Sequence, residues 1–213
     1  MEQESKRGAL LVQKSSVLVL LVVILLTIST PSLASRILTA PTADLLGVGV
    51  GELDYHYLRQ QGSLEVNVGL HPKVNLGVRQ YLGGSLVGTA KVGIFAEGQE
   101  RPGLAFGGEI GLGAQNFFAV LSKQLGAPGL RGHVAWGSGR YARGMAGLGL
   151  VLNPVQVKTG QGWVLPTTSL ILEYDGQGLN GGLVAQFSPE FRGYVATTFG
   201  QGIGFGLNYQ VAF

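Results

Sequence analysis

The sequence predicts an all-β protein, an antiparallel up-and-down transmembrane β-barrel of about twelve strands that follows a cleaved signal peptide. Three observations predict it. Apolar side chains alternate with glycine and small polar residues at period two along most of the chain. Turn-forming residues interrupt that alternation at hairpin spacing. The composition joins 36 Gly in 213 residues to a charged fraction of only 13%, about half that of an ordinary soluble domain. The glycines follow no G-X-Y period and Pro is only 8, which excludes collagen and a Pro-rich linker. The absence of Cys excludes a disulfide framework and any thiolate site.

The N-terminal elements come first. Lys6, Arg7 and Lys14 precede the uncharged run Val17–Ile28, and Pro31 leads into the small-x-small site Ser32-Leu33-Ala34. This is the three-part pattern of a secretory signal, residues 1–34, cut after Ala34. The apolar run is short of the about 20 residues a spanning helix needs. Removing the signal takes away three basic residues and Glu2 and Glu4, so the net charge falls from +3 to +2. What remains has no basic run, and nucleic acid is not an expected partner. Residues 35–46 are read as an N-terminal periplasmic segment; whether they plug the barrel is open. The barrel itself is expected over 47–213.

The strands follow in order. Leu64, Val66 and Val68 alternate with Glu65, Asn67 and Gly69; Val74, Leu76 and Val78 with Asn75, Gly77 and Arg79; Ala90, Val92 and Ile94 with Lys91 and Gly93. Leu104, Phe106, Ile110 and Leu112 alternate with Gly107, Glu109 and Gly111, and Leu148, Leu150 and Leu152 with Gly147, Gly149 and Val151. Leu170, Leu172 and Tyr174 alternate with Ile171, Glu173 and Asp175. Gly202–Phe213 is the clearest segment, with Ile203, Phe205, Leu207, Tyr209, Val211 and Phe213 on one face. Between such runs lie Gln60-Gln61-Gly62, His71-Pro72-Lys73, Gly83-Gly84-Ser85, Asp175-Gly176 and Ser188-Pro189-Glu190, all suited to tight turns. Closure into a barrel hides the two edges of such a meander.

Alternation alone does not say which face meets water. The polar face carries Gly, Asn, Gln and Thr with isolated charges, whereas a soluble barrel's exterior carries abundant Lys and Glu. Tyr55, Tyr57, Tyr81, Phe95, Phe187, Phe191, Phe199 and Phe213 fall near strand ends, as in the aromatic girdles of outer-membrane barrels. Trp136 and Trp163 read as interface anchors. Tyr209, Val211 and Phe213 form a C-terminal pattern similar to the assembly signal of bacterial outer-membrane barrels. Lipid and the barrel assembly machinery are therefore expected partners, and the bacterial outer membrane the expected location. Counting back from a periplasmic C-terminus puts both termini in the periplasm. It also puts Glu97–Gly103 and Asn153–Pro166 there, longer than such connections usually are.

Ala40-Pro41-Thr42-Ala43-Asp44, leading to Tyr55-His56-Tyr57, resembles the opening of the YjbH-like family of bacterial outer-membrane proteins. Pro102–Gly107, Phe118–Lys123, Glu173-Tyr174-Asp175-Gly176 with Leu179–Leu183, and Gly206–Tyr209 extend the resemblance in order along the chain. Better-studied members are much longer, so this chain resembles a compact, single-barrel version. The resemblance implies a link to exopolysaccharide export or assembly, with polysaccharide or export components as partners. It implies no enzymatic activity and no cofactor.

Candidate site residues are the charges that share the glycine face: Glu65, Arg79, Lys91, Glu109, Arg131, Arg143, Glu173 and Arg192, with His133 beside them. Mixed signs favour pairing across a filled lumen over a selective path. His71 sits in a Pro turn, facing solvent. His133 with Ser138 is a weak hydrolase candidate, and no catalytic residue is assigned. Asp175-Gly176 reads as a turn, with no Ca²⁺ loop and no metal site. The expected function is a structural or transport role in the cell envelope. A passive small-solute pore is the alternative, and a lipid hydrolase or a secreted soluble β protein stands behind it.

Overall fold

Period-two sequences pair edge to edge, and here they pair until none is left unpaired. A computed structural model describes residues 36–158 and 164–213; the signal peptide, Ser35 and Trp163 lie outside them. The strands are β1 (Val50–Leu58), β2 (Gln61–His71), β3 (Val74–Tyr81), β4 (Leu86–Phe95), β5 (Gly103–Gly111), β6 (Ala114–Gln124), β7 (Leu130–Gly137) and β8 (Met145–Asn153). A two-residue ladder, β9 (Val157–Lys158) with β10 (Val164–Leu165), follows, then β11 (Thr167–Tyr174), β12 (Leu179–Gln186), β13 (Phe191–Thr198) and β14 (Gly202–Ala212). All but β9 and β10 form one closed antiparallel barrel, each strand beside the next in sequence. Pairs from Val50↔Ala212 to Tyr57↔Phe205 seal β1 to β14, so no edge remains to recruit another chain. Strands of 8 to 11 residues match the tilted span of a bilayer.

The side-chain parity settles which face meets lipid. Leu53, Leu64, Val66, Leu76, Val92, Phe106, Leu148, Leu172, Leu183, Phe205 and Leu207 are exposed on the barrel exterior, whereas Glu52, Glu65, Arg79, Glu109 and Glu173 are buried inside it. This is the inverse of a soluble barrel. An apolar exterior on a closed barrel belongs in a membrane, and closed antiparallel barrels of this kind are outer-membrane proteins. Aromatic contacts follow the seam, with Phe205 5.9 Å from Tyr55 and 5.8 Å from Tyr57. Trp136 stands exposed on the outer face of β7, and Tyr209, Val211 and Phe213 are exposed on and just beyond β14.

The connections alternate between two rims. Both ends of the barrel chain lie on one, here called the terminal rim, together with 72–73, 96–102, 125–129, 154–158, 164–166 and 187–190. The opposite rim carries 59–60, 82–85, 112–113, 138–144, 175–178 and 199–201. Arg59 and Gln60 both have positive φ, 52° and 60°, the conformation of a two-residue type I′ hairpin turn. Between β7 and β8 a 3-10 turn, Gly139–Tyr141, folds inward and buries Tyr141. The two long connections do share the terminal rim, as the strand count requires, and one of them has a task there described below.

An eight-stranded barrel is just wide enough for its own side chains to fill. Twelve strands leave spare room. Residues 36–46, whose seating the sequence left open, occupy that room: Leu38, Ala40, Thr42 and Leu46 are at most 2% exposed. The reason is a fit between segment and wall. A Cβ added at inward-facing Gly147 would collide with Ile37, one at Gly93 would meet Leu45, and one at Gly103 would lie 3.4 Å from the Ala43 Cβ.

Candidate functional site

The site is the lumen, and it has two walls of different character. Strands β1 to β5 contribute Glu52, Asp54, His56, Glu65, Asn67, Asn75, Arg79, Lys91 and Glu109 through strict alternation with outward apolar residues. From β8 to β13 the inward positions mix glycine and apolar residues, including Met145, Gly147, Ile171 and Ala196, with the polar Glu173, Asn180, Arg192 and Thr198.

On the polar wall, Arg79 lies between two carboxylates. Its Nε and Nη2 donate to Glu65 Oε2 at 3.1 and 2.9 Å, and its Nη1 donates to Glu109 Oε1. Glu109 also accepts from Tyr141 at 2.9 Å, Tyr81 at 3.2 Å and Asn116 at 3.3 Å. A second cluster joins Arg192 to Asn208 at 3.0 Å and Glu52 at 3.5 Å, while Gln210 donates to Glu52 at 2.9 Å and Asn208 to Asp54 at 3.1 Å. Buried charges persist only when partnered in this way.

The segment 36–46 crosses between these walls. It rises from the terminal rim, turns through a bridge between Arg36 and Pro41, and returns. At its tip the N–H groups of Leu38, Thr39 and Ala40 donate to the Glu173 carboxylate at 3.0 to 3.1 Å, and Thr39 Oγ1 donates at 2.6 Å. Arg36 pairs with Glu65. Lys91 Nζ donates to the Thr42 carbonyl at 3.3 Å, Arg140 to the Thr39 carbonyl at 3.3 Å, and the Ala43 N–H to Ser122 Oγ at 2.7 Å. Near the terminal rim Arg131 grips Asp44 through both terminal nitrogens, at 2.8 and 2.7 Å, and reaches Glu97 at 2.7 Å. The long 96–102 connection thus helps hold the segment in place. Leu38 packs with Leu58, Ile171 and Ala196. One cavity of about 40 Å³ is lined by Arg36, Glu65, Asn75, Arg79, Lys91 and Glu109, space for about two or three waters, and another of about 90 Å³ lies toward the opposite rim against Thr39, His56, Arg59, Tyr81 and Arg140.

Eight of the nine predicted lumen residues face inward. Glu65, Arg79 and Glu109 share one cluster; Lys91, Arg131 and Glu173 hold the segment; Arg192 joins Glu52; and His133 Nδ1 lies 2.7 Å from Ser122 Oγ. Arg143 is the exception. It is exposed in the 138–144 connection on the opposite rim, because strand parity ends with β7 at Gly137. Ser138 lies in that same connection and bonds Phe117 rather than His133. Sequence reasoning missed Glu52, Asp54 and Asn208, although each alternates with outward residues and was open to the same test. Arg36, Asp44, Arg140 and Tyr141 carry no such signal.

Two Ser–His pairs lie inside the barrel, and Ser122 Oγ of one also accepts the Ala43 N–H at 2.7 Å. His56 Nδ1 is 3.1 Å from Ser63 Oγ and 3.7 Å from Asp54 Oδ1, and His56 Nε2 is 3.4 Å from the same hydroxyl. A triad needs the serine and the acid on different ring nitrogens, and here the serine lies nearer the nitrogen that faces Asp54. Ser63 and Ser122 are both fully buried. Among the described residues no group of three His, Asp or Glu side chains is placed to hold a metal.

No family model matches the chain, and no curated protein matches it. Among solved structures it is similar to the KdgM porin in complex with disordered oligogalacturonate, with a TM-score of 0.53 at 10% identity, over 77% of this chain and 99% of that one. It is likewise similar to the KdgM porin alone, with a TM-score of 0.50 at 12% identity over the same shares. At such identity the likeness is one of fold: a closed antiparallel barrel of outer-membrane type.

Proposed function

We propose that this protein is a transport barrel of the bacterial outer membrane whose path is closed, in the state described, by its own residues 36–46. One observation carries the reading: the lumen is wide enough to house a polypeptide segment held by noncovalent polar contacts. A barrel serving only as scaffold would fill the same space with wall side chains. The arrangement also speaks against a permanently open passive pore, and the placement of the Ser–His pairs speaks against a hydrolase.

The resemblance to the YjbH-like family points to a solute connected with exopolysaccharide, and the KdgM complex supports carbohydrate handling within this fold. The lumen's charges are of both signs, Arg79, Lys91 and Arg192 against Glu52, Glu65 and Glu109, which favours a neutral or mixed-charge saccharide over a polyanion. Planar-bilayer recording tests this reading. The barrel lacking 36–46, shown to be folded by its heat-modifiable gel shift, is expected to conduct and to be blocked by neutral oligosaccharides. A folded but silent deletion barrel refutes the transport role, and block by polyanions alone refutes the substrate class.

A further inference from the structure

We propose that residues 36–46 form a releasable gate, hinged at 47–49 on the terminal rim, and are not a permanent part of the core. The inference rests on the transport reading and adds its regulation.

Three features support it. First, the segment is not part of the sheet. Among the described residues, the only backbone–backbone hydrogen bond within 36–46 is Ile37 N–H to the Ala40 carbonyl, and none joins it to a strand. Its withdrawal leaves every rung of the barrel in place. Second, three of the wall's cations keep partners of their own once it leaves. Arg79 holds Glu65 and Glu109, Arg192 holds Glu52 and Asn208, and Arg131 holds Glu97. Glu173 exchanges its donors in 38–40 for water in the emptied lumen, which is then a hydrated polar channel whose principal cations stay paired.

Third, the attachment is built as a pivot. Gly49 has φ +73°, a left-handed conformation that glycine adopts without strain. Its N–H donates to the Gly69 carbonyl and its carbonyl accepts from Phe213 N–H, both at 2.9 Å. These bonds pin the base of the segment to β2 and to the C-terminus, where the barrel closes. Beyond that base, Val48 is exposed and the chain turns inward at Gly47. A pinned base, glycines beside it and a body seated by side-chain contacts together make a flap.

The chain contains no Cys, so a reversible lock can be added without background. The Ala43 Cβ and a Cβ built on Gly103 lie 3.4 Å apart, close to the about 3.5–4.5 Å of a disulfide. In planar bilayers the double variant Ala43→Cys/Gly103→Cys is expected to be silent when oxidised and to open and close when reduced, as the unmodified protein does. Equal opening in both redox states overturns the gate, as does an unmodified protein that never opens at any applied voltage. A folded barrel lacking 36–46 separates the two ideas. If it conducts while the lock has no effect, the gate fails and the transport reading stands; if it is silent, the transport reading itself fails. Should the double variant not fold, a synthetic peptide of residues 36–46 added to the deletion barrel gives the second test. It is expected to block the current where a scrambled peptide does not, and equal block by both overturns a fitted seat.

Discussion

Replacing Glu173 should unseat the segment while leaving the barrel whole. The Glu173 carboxylate accepts three consecutive backbone N–H groups and one hydroxyl from residues 38–40. Glu173→Ala strands those donors in a buried site, at about 1–3 kcal/mol each. Water entering the vacated space recovers part of this, so a net loss of about 3 kcal/mol is a conservative figure. At about 1.4 kcal/mol per tenfold, the open-to-closed ratio should rise by roughly 100-fold. Glu173→Gln keeps one acceptor oxygen and loses the charge assistance, about 1–2 kcal/mol, and should raise the ratio roughly tenfold. Single-channel recording reads the ratio, and the temperature of the heat-modifiable gel shift reads the barrel. The β11 ladder to β8 and β12 uses only backbone groups, so that temperature should move little. An unchanged open fraction in Glu173→Ala, with the barrel intact, would refute the reasoning.

Other outcomes follow from the same contacts. Gly147→Val places a side chain where Ile37 packs, so it should open the channel with the segment's own sequence unaltered, and a closed, thermally normal variant would contradict this. Arg79→Met leaves Glu65 and Glu109 short of their shared cation and should cost about 3 kcal/mol of stability, lowering the gel-shift temperature. On the opposite rim Arg59 clasps Asp175 at 2.8 Å. Burial acts to raise the Asp175 carboxyl, but hydrogen bonds from Asn180, the Gln177 and Gly178 N–H groups and Arg59 outweigh it and hold the group below its ordinary 3.8. A depressed folded value means the contribution is present above 3.8 and lost as pH falls through the lower folded value. Hydrogen exchange at Gln177 and Gly178 should therefore keep its protection from about pH 7 to about pH 5, and loss at the lower end would contradict the clasp. Deleting Phe213, whose ring is exposed beyond β14, should slow membrane assembly in cells, and normal insertion without it would exclude an assembly role.

The barrel was legible because lipid and lumen impose opposite demands on alternate residues. Gly202–Phe213 shows this most plainly: from Ile203 to Phe213 every second residue faces outward, while Gly204, Gly206 and Asn208 face inward. The same parity located Glu65, Arg79, Glu109 and Glu173. It failed at Arg143, since a turn carries no parity to extrapolate. It was silent on 36–46, because a segment bound by side chains and turned back on itself has no repeating face. The clue to that segment lay in the wall. Inward glycines at 93, 103 and 147 leave space that only a long-range partner can fill, and a single sequence does not reveal the partner.

The occupied lumen can be tested by cross-linking in native outer membranes. Ala43→Cys is paired with Gly103→Cys, which faces inward, or with Leu104→Cys, which faces the lipid side of the same strand. A disulfide is expected with position 103 and none with position 104. No cross-link at 103, with the thiol introduced at position 43 freely alkylated by a bulky maleimide, would place the segment outside the barrel and contradict the account.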